Sequence, residues 1–318
     1  MRIVFIGTGE IGVPTLRALL ALPQHEVVGA VTQPDKPVGR AQRIQASPIK
    51  MELRERSVPV LQPRRIREQV AIDEIRALAP EVIVVMAYSQ ILPRSLLAIP
   101  RLACLNLHAS LLPRHRGAAP IQAAIVAGDG ETGITVMYMD EGLDTGDILS
   151  QSRLTIGPNE TGGSLHDRLA ELAPAALLNA LARLAGGTAP RSAQDNSLAT
   201  YAPKLEREDG RIDWSETAEA LERKIRAFDP WPGAFSILSD AAGKSRHLKI
   251  FRATVVAGGG DPGSVAHPSG TIVVATGVDS LRLDEVQLEG KRRMSAAEFF
   301  RGFSSPTVHF SSIIAPHG

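Results

Sequence analysis

At 318 residues the chain is longer than one hydrophobic core usually serves, so two domains are expected, each able to bury its own core. A net charge of +1 does not by itself point to a nucleic-acid partner, and any polyanion would have to be held by local basic patches. No apolar run reaches the roughly 18 residues that span a bilayer, a lone Cys104 rules out a disulfide framework, and MRIVFIGTG carries no export signal; no membrane association and a cytoplasmic location are expected.

The first apolar run, RIVFIG, empties into Gly7-x-Gly9-x-x-Gly12 and then into a helical pattern over residues 11–22. That spacing fits the dinucleotide fingerprint, in which glycines let backbone amides approach a pyrophosphate. A nicotinamide enzyme would also place an acidic residue at the end of the second strand, about 20 residues further on. Here that strand ends Val31-Thr32-Gln33-Pro34, with Asp35 already in the loop, so NAD is not expected. The loop PDKPVGRAQRIQASPIK, residues 34–50, sets several basic groups against one carboxylate.

Helical patterns over 64–79 and 118–127 alternate with the apolar runs EVIVVMAYS, CLNLHAS and ITVMYMD. Strands apolar enough to be buried on both faces, separated by helices, predict a parallel, Rossmann-like α/β sheet. A stripe of Leu165, Leu169, Leu172, Ala176 and Leu184 closes this domain, placed at 1–187, and a Gly/Pro/Ser/Asn-rich linker follows at 188–204. Beyond it FSIL, HLKIFRATVV, GTIVVATG and LRLDEVQLEG are short and β-rich, and TAEALERKIRAF and SAAEFFRGF supply helices. A small β-barrel or curled sheet is expected over 205–318, with basic groups around Lys244 and Lys291.

The stretch ACLNLHASLLPRHRGAAP, residues 103–120, carries the most chemistry. Strand alternation puts Cys104, Asn106 and His108 on one face and Leu105 and Leu107 on the other. Polar side chains in a buried strand must find partners or open onto a cleft, which in such sheets lies beyond the carboxyl ends of the strands. Asn106 can donate to a developing oxyanion, and His108 can donate to the same oxygen or move a proton near neutral pH. In MDEGLDTGD, residues 139–147, Asp144 sits on a tight loop from which it could orient His108. The lone histidine beside these carboxylates lacks convergent ligand spacing, so no metal is expected. Cys104 reads as a packing residue rather than a nucleophile.

At Asn106-x-His108, SLLPRHRGAAPIQ and DEGLDTGDIL, the sequence resembles the folate-dependent formyltransferases. The resemblance extends through TQPDKPVGR and SPIK (32–50), AYSQILP (87–93), ELAPAALL near 171, IDW at 212 and IRAFDPWPGA at 225. RGAAPIQ and PDKPVGR lean toward the members that act on initiator methionyl-tRNA. What the resemblance implies is a Rossmann-like formyltransferase domain followed by an OB-like β-barrel domain that binds tRNA, working as a monomer. The reaction implied moves a formyl group from 10-formyltetrahydrofolate to the methionine α-amine on initiator tRNA, for translation initiation. By motif, Asn106, His108 and Asp144 would be catalytic. Ser110, Leu111, Leu112 and Pro113 would border the folate, with Ala87, Tyr88, Ile91, Leu92, Asp140 and Gly142 lining its pterin pocket. Arg40, with Arg43 and Lys36, would contact tRNA. An alternative within the resemblance is a formyltransferase acting on an amino sugar nucleotide. Two departures stand out: GTGEIG, where relatives carry GTP, and His115, where an aromatic residue often precedes RG and whose ring could still stack.

Overall fold

The computed structural model describes residues 1–38, 42–239, 245–266, 271–301 and 309–311. In chain order, the first part of the molecule runs β1 (Arg2–Gly7), α1 (Val13–Ala21), β2 (Glu26–Val31), a hairpin of β3 (Lys36–Val38) and β4 (Arg43–Gln45), α2 (Pro48–Glu52), β5 (Val60–Leu61), α3 (Gln69–Ala77), β6 (Val82–Met86), α4 (Arg94–Leu97) and β7 (Ala103–His108). It continues with β8 (Arg116–Gly117), α5 (Pro120–Ala127), β9 (Glu131–Tyr138), β10 (Ile148–Thr155), α6 (Gly162–Ala185) and β11 (Tyr201–Ala202). One compact unit comprises Met1–Pro120, Glu131–Thr155 and His166–Pro203; the other comprises Ile121–Gly130, Ile156–Leu165 and Lys204–Gly318.

The sheet of the first unit has the order β10-β9-β7-β6-β1-β2-β5. Strands β7, β6, β1, β2 and β5 are parallel, as buried runs such as VIVVM require, since every residue of β6 is covered. Val4, Ile6, Val28, Ile75, Ile83, Val85 and Leu96 form part of the core on one face. The parallel, Rossmann-like sheet expected from the sequence is present, and it is extended at one edge by two strands of the other sense, β9 antiparallel to β7 and β10 antiparallel to β9. The loop between β9 and β10 is too short for the crossover of a dozen or more residues that a parallel pair needs.

Helix starts differ from the periodic pattern for local reasons. Residues 64–68 stay out of α3 because the Gln90 side chain takes the Ile66 N–H at 2.9 Å, holding them as a loop. The helix expected from residue 118 begins at Pro120, a residue suited to a first helical position. The buried stripe of α6 runs through Leu165, Leu169, Ala173, Leu177 and Leu181, leaving Leu172 and Leu184 half-buried. Residues after α6 are bonded into the first unit: β11 pairs with β8 in parallel, Tyr201 opposite Arg116 and Ala202 opposite Gly117.

The second unit adds α7 (Ala218–Ala227), β12 (Phe235–Ser239), β13 (Ser245–Val256), β14 (Val265–Ala266), β15 (Ile272–Ala275), β16 (Ser280–Leu288), β17 (Met294–Ser295), α8 (Ala296–Arg301) and β18 (His309–Ser311). Its antiparallel sheet runs β14-β15-β16-β13-β12-β18, and it curls until the Phe310 N–H reaches the Gly263 carbonyl at 2.9 Å. Fully buried Trp214 packs against Phe310 at 5.2 Å between ring centroids and donates its indole N–H to Ser236 Oγ at 2.9 Å. This is the curled β domain expected, an antiparallel half-barrel. Among the described residues no helix is long and apolar enough to cross a membrane.

Candidate active site

Parallel strands share a direction, so the loops after β1, β2, β5, β6 and β7 emerge at one edge of the first sheet. On β7 the alternation holds: Leu105 and Leu107 are buried on one face, while half-buried Asn106 and buried His108 lie on the other. Cys104 shares their face deeper in the sheet, against Met139 with its Sγ 3.7 Å from that residue's Sδ. Burial pushes its thiol up to about 12, so it stays protonated at neutral pH, as a packing residue does.

The loop 139–147 leaves β9 beside Cys104, whose carbonyl accepts the Met139 N–H, and doubles back along the face to reach Asn106 and His108. Asp144, at φ +53°, is the turning point. One carboxylate oxygen, Oδ1, lies 3.4 Å from Asn106 Nδ2. The other, Oδ2, accepts the Gly117 N–H at 2.9 Å and stands 3.5 Å from His108 Nδ1. His108 Nε2 is 2.9 Å from the His115 carbonyl oxygen. A carbonyl only accepts, so Nε2 carries a hydrogen, and Nδ1 is the nitrogen that faces Asp144. Gly117 is at φ +119°, and a Cβ there would lie 2.5 Å from the Ala202 oxygen. Only glycine lets β8 close on β11 while aiming an amide at Asp144.

Sequence reasoning missed the residues that hold this loop in place. Gln194, in the stretch after α6, donates from Nε2 to the carbonyls of Asp144 at 2.9 Å and Gly146 at 2.8 Å. Its own Oε1 is gripped by the guanidinium of buried Arg116, at 3.1 Å from Nε and 2.7 Å from Nη2. Arg116 Nη2 also donates to Asn196 Oδ1 at 2.8 Å. Thr200 takes the His115 N–H on its hydroxyl at 2.8 Å, and its carbonyl takes the Arg116 N–H. His115 is buried and its Nδ1 lies 3.3 Å from Thr200 Oγ1, so its ring is not presented for stacking; the sequence expectation for it is corrected. The only sequence signal for Gln194 is a polar amide in a linker-like stretch.

The remaining predicted residues fall on four segments of that edge and its flank. Ser110 is fully buried, its hydroxyl donating to the Arg114 carbonyl at 2.7 Å, and Thr135 braces the loop by donating to the Ser110 carbonyl at 2.6 Å. Leu112 is buried, Leu111 and Pro113 are half-buried, and the Leu112–Pro113 peptide is cis. After β6, Ala87 is exposed at φ +51°, Leu92 enters the core, and Ile91 is 81% exposed. Tyr88 is buried with no hydrogen-bond partner on its hydroxyl among the described residues, and burial pushes it up to about 12. Asp140 accepts the Gly142 N–H at 3.0 Å and the Thr145 hydroxyl at 2.7 Å. An open cleft of about 570 Å³ is lined by Arg94, Leu97, Asp140, Glu141 and Gly142. Lys36 and Arg43 are exposed on the β3–β4 hairpin; Arg40 and Lys244 lie outside the described residues.

Residues 1–181 match the formyl transferase family model, and residues 204–304 match the model of the formyl transferase C-terminal domain. The chain is 46% identical over 304 residues to the methionyl-tRNA formyltransferase of Geobacter sulfurreducens, covering 95% of this chain and 94% of that one. The chain belongs to the methionyl-tRNA formyltransferase family. The Pseudomonas fluorescens member is 50% identical over 301 residues, covering 94% of this chain and 93% of that one. A sugar 3N-formyl transferase, WlaRD, solved in the presence of dTDP and 5-N-formyl-THF, shares the fold at a TM-score of 0.64 and 16% identity, over 92% of this chain and 99% of that one. The match to the tRNA enzymes thus spans both units at a level of identity that the sugar enzyme does not approach.

Proposed function

We propose that the chain transfers the formyl group of 10-formyltetrahydrofolate to the α-amine of methionine on initiator tRNA, with Asn106, His108 and Asp144 as the catalytic set. The observation that carries the chemistry is the convergence of an amide donor, an imidazole and a carboxylate on one strand face. The neutral amine attacks the formyl carbon, and negative charge gathers on the formyl oxygen. Asn106 Nδ2 has two hydrogens and the contact with Asp144 uses one, so the second is suited to that oxygen. One such donor lowers a barrier of this kind by about 2.7 to 4 kcal/mol. The new C–N bond forms, the carbon–N10 bond breaks, and the proton shed by the amine goes to N10 as the folate leaves. His108, with Nε2 anchored as a donor and Nδ1 facing Asp144, would manage that proton, directly or through water.

The folate is assigned to the edge between residues 87–92 and 140–142. Support comes from the cleft that Asp140, Glu141 and Gly142 line with Arg94 and Leu97 of α4, the helix that follows residues 87–92, from the exposed apolar side chains of Ile91 and Leu143, and from the Arg94–Glu141 contact of 3.8 Å between α4 and the 139–147 loop. The committed Ser110 hydroxyl makes that residue a support for the loop bordering the folate. Lys36, Arg40 and Arg43 are assigned to the phosphates of tRNA.

Acceptor choice tests this reading. Labelled formyl from 10-formyltetrahydrofolate should pass to charged initiator tRNA at a kcat/KM at least about a hundredfold above that for any 4-amino sugar nucleotide, a gap that a well-matched site commonly supplies. The reverse preference would assign the chain to the sugar-directed reaction.

A further inference from the structure

A second basic loop stands on the same edge of the sheet. Arg64, Arg65 and Arg67 follow β5 and are all exposed, while Ile66 between them is 1% exposed and belongs to the core. Gln90 pins the loop from the other side, accepting the Ile66 N–H at 2.9 Å and donating to the Arg64 carbonyl at 3.3 Å. Three guanidinium groups are therefore presented from an anchored backbone. Among the described residues none of the three side chains makes an ion pair or a hydrogen bond. Elsewhere arginines such as Arg2, Arg17, Arg76, Arg101 and Arg153 face carboxylates.

This loop adjoins the β3–β4 hairpin. Gln62 donates to Asp35 Oδ1 at 2.7 Å and to the Gln33 carbonyl at 3.0 Å, and Lys50 donates to both Asp35 and Gln62. Lys36 is the next residue after Asp35, and Arg64 is two residues from Gln62, about 7 Å of chain at most. The acids nearby do not cancel the charge. Asp35 is neutralised by Lys50, which holds its carboxyl below the usual range, and Glu68 and Glu10 are single exposed carboxylates. Since β2, β5 and β7 share a direction, both basic loops rise from the edge that carries His108.

We propose that Arg64, Arg65 and Arg67 form, with Lys36 and Arg43, a continuous strip that binds the phosphate backbone of the RNA substrate. The proposal rests on the tRNA reading above. Five cations whose side chains make no ion pair among the described residues suit a polyanion with regularly spaced charge, and arginine suits phosphate in particular.

The test is the salt dependence of kcat/KM for charged initiator tRNA in the full chain. Each lost phosphate contact flattens the log–log slope by about 0.7 to 0.9. Arg64→Ala/Arg65→Ala/Arg67→Ala should flatten it by about two or more and raise KM for tRNA by roughly tenfold or more near physiological salt, with kcat and KM for monoglutamyl 10-formyltetrahydrofolate unchanged. The three lysine substitutions should restore most of the slope, and Arg65→Ala alone should remove about one contact's worth. An unchanged slope in the alanine variants would overturn the proposal. So would a defect seen only with polyglutamylated folate, which would assign the strip to the folate tail. Failure of the unmutated protein to use tRNA at any salt would instead refute the tRNA reading itself.

Discussion

The turns after β1 and β7 leave the same edge of the same sheet, and they carry opposite kinds of information. The first has the GxGxxG spacing, yet glycine is needed mainly at Gly7, where a Cβ would sit 2.7 Å from the Met86 oxygen; at Gly9 the nearest atom would be at an ordinary 3.5 Å. Its amides are also engaged locally, Thr8 N–H on the Ala87 carbonyl and Gly12 N–H on Gly9. The second turn has no glycine signature at its start but gathers Asn106, His108 and, from another loop, Asp144. Glycine spacing reports where backbones crowd. Chemistry requires side chains that hold and move protons, and these arrive from segments far apart in sequence.

The sharpest way to break that contrast is to alter the side-chain set gathered at the second turn without changing its shape. Asp144→Asn keeps the size of the side chain but faces His108 with a neutral group and can present an N–H to the ring. Formyl transfer in a single turnover should fall by about 10²- to 10⁴-fold with little change in thermal midpoint. A loss below about threefold would show that the carboxylate is not needed.

Gln194→Glu separates the two ends of the support. The new carboxylate still satisfies Arg116 but can no longer donate to the Asp144 and Gly146 carbonyls. A fall in kcat of roughly ten- to a hundredfold, with stability retained, is expected from a displaced catalytic loop. Full activity would reduce Gln194 to a partner of Arg116.

At the first turn the expected effects are on stability alone. Gly7→Ala forces a methyl against backbone and should cost about 1 to 3 kcal/mol in denaturant unfolding, whereas Gly9→Ala should stay within about 0.5 kcal/mol. Neither should change kcat, and neither form should bind NAD in a calorimetric titration. Strong nucleotide binding lost in Gly9→Ala would restore the fingerprint reading.

What was legible in the sequence follows the same division. Period-two burial revealed β7 and its functional face, and continuous apolar runs revealed the parallel strands, because burial acts residue by residue. The reversal of β9 and β10 was not legible, since strand direction depends on the connection and the sheet edge rather than on composition. Nor was the start of α3 at Gln69, which depends on a side chain from residue 90. Asp144 was visible as a loop carboxylate, but its tether was not. Gln194, Thr200 and Arg116 act through hydrogen bonds across 48 to 85 positions of chain, a separation that leaves no local pattern. His115 looked available for stacking because nothing in its neighbours reveals that Thr200 will cover it.

The central claim, that Asn106 and His108 carry the transfer, is tested most directly by single-turnover transfer of labelled formyl from 10-formyltetrahydrofolate to charged initiator tRNA. The account predicts a rate lowered by about 10²- to 10³-fold in Asn106→Ala and by about 10²- to 10⁴-fold in His108→Ala, with both variants folded and still binding tRNA. Rates equal to those of the unaltered protein in both variants would contradict it.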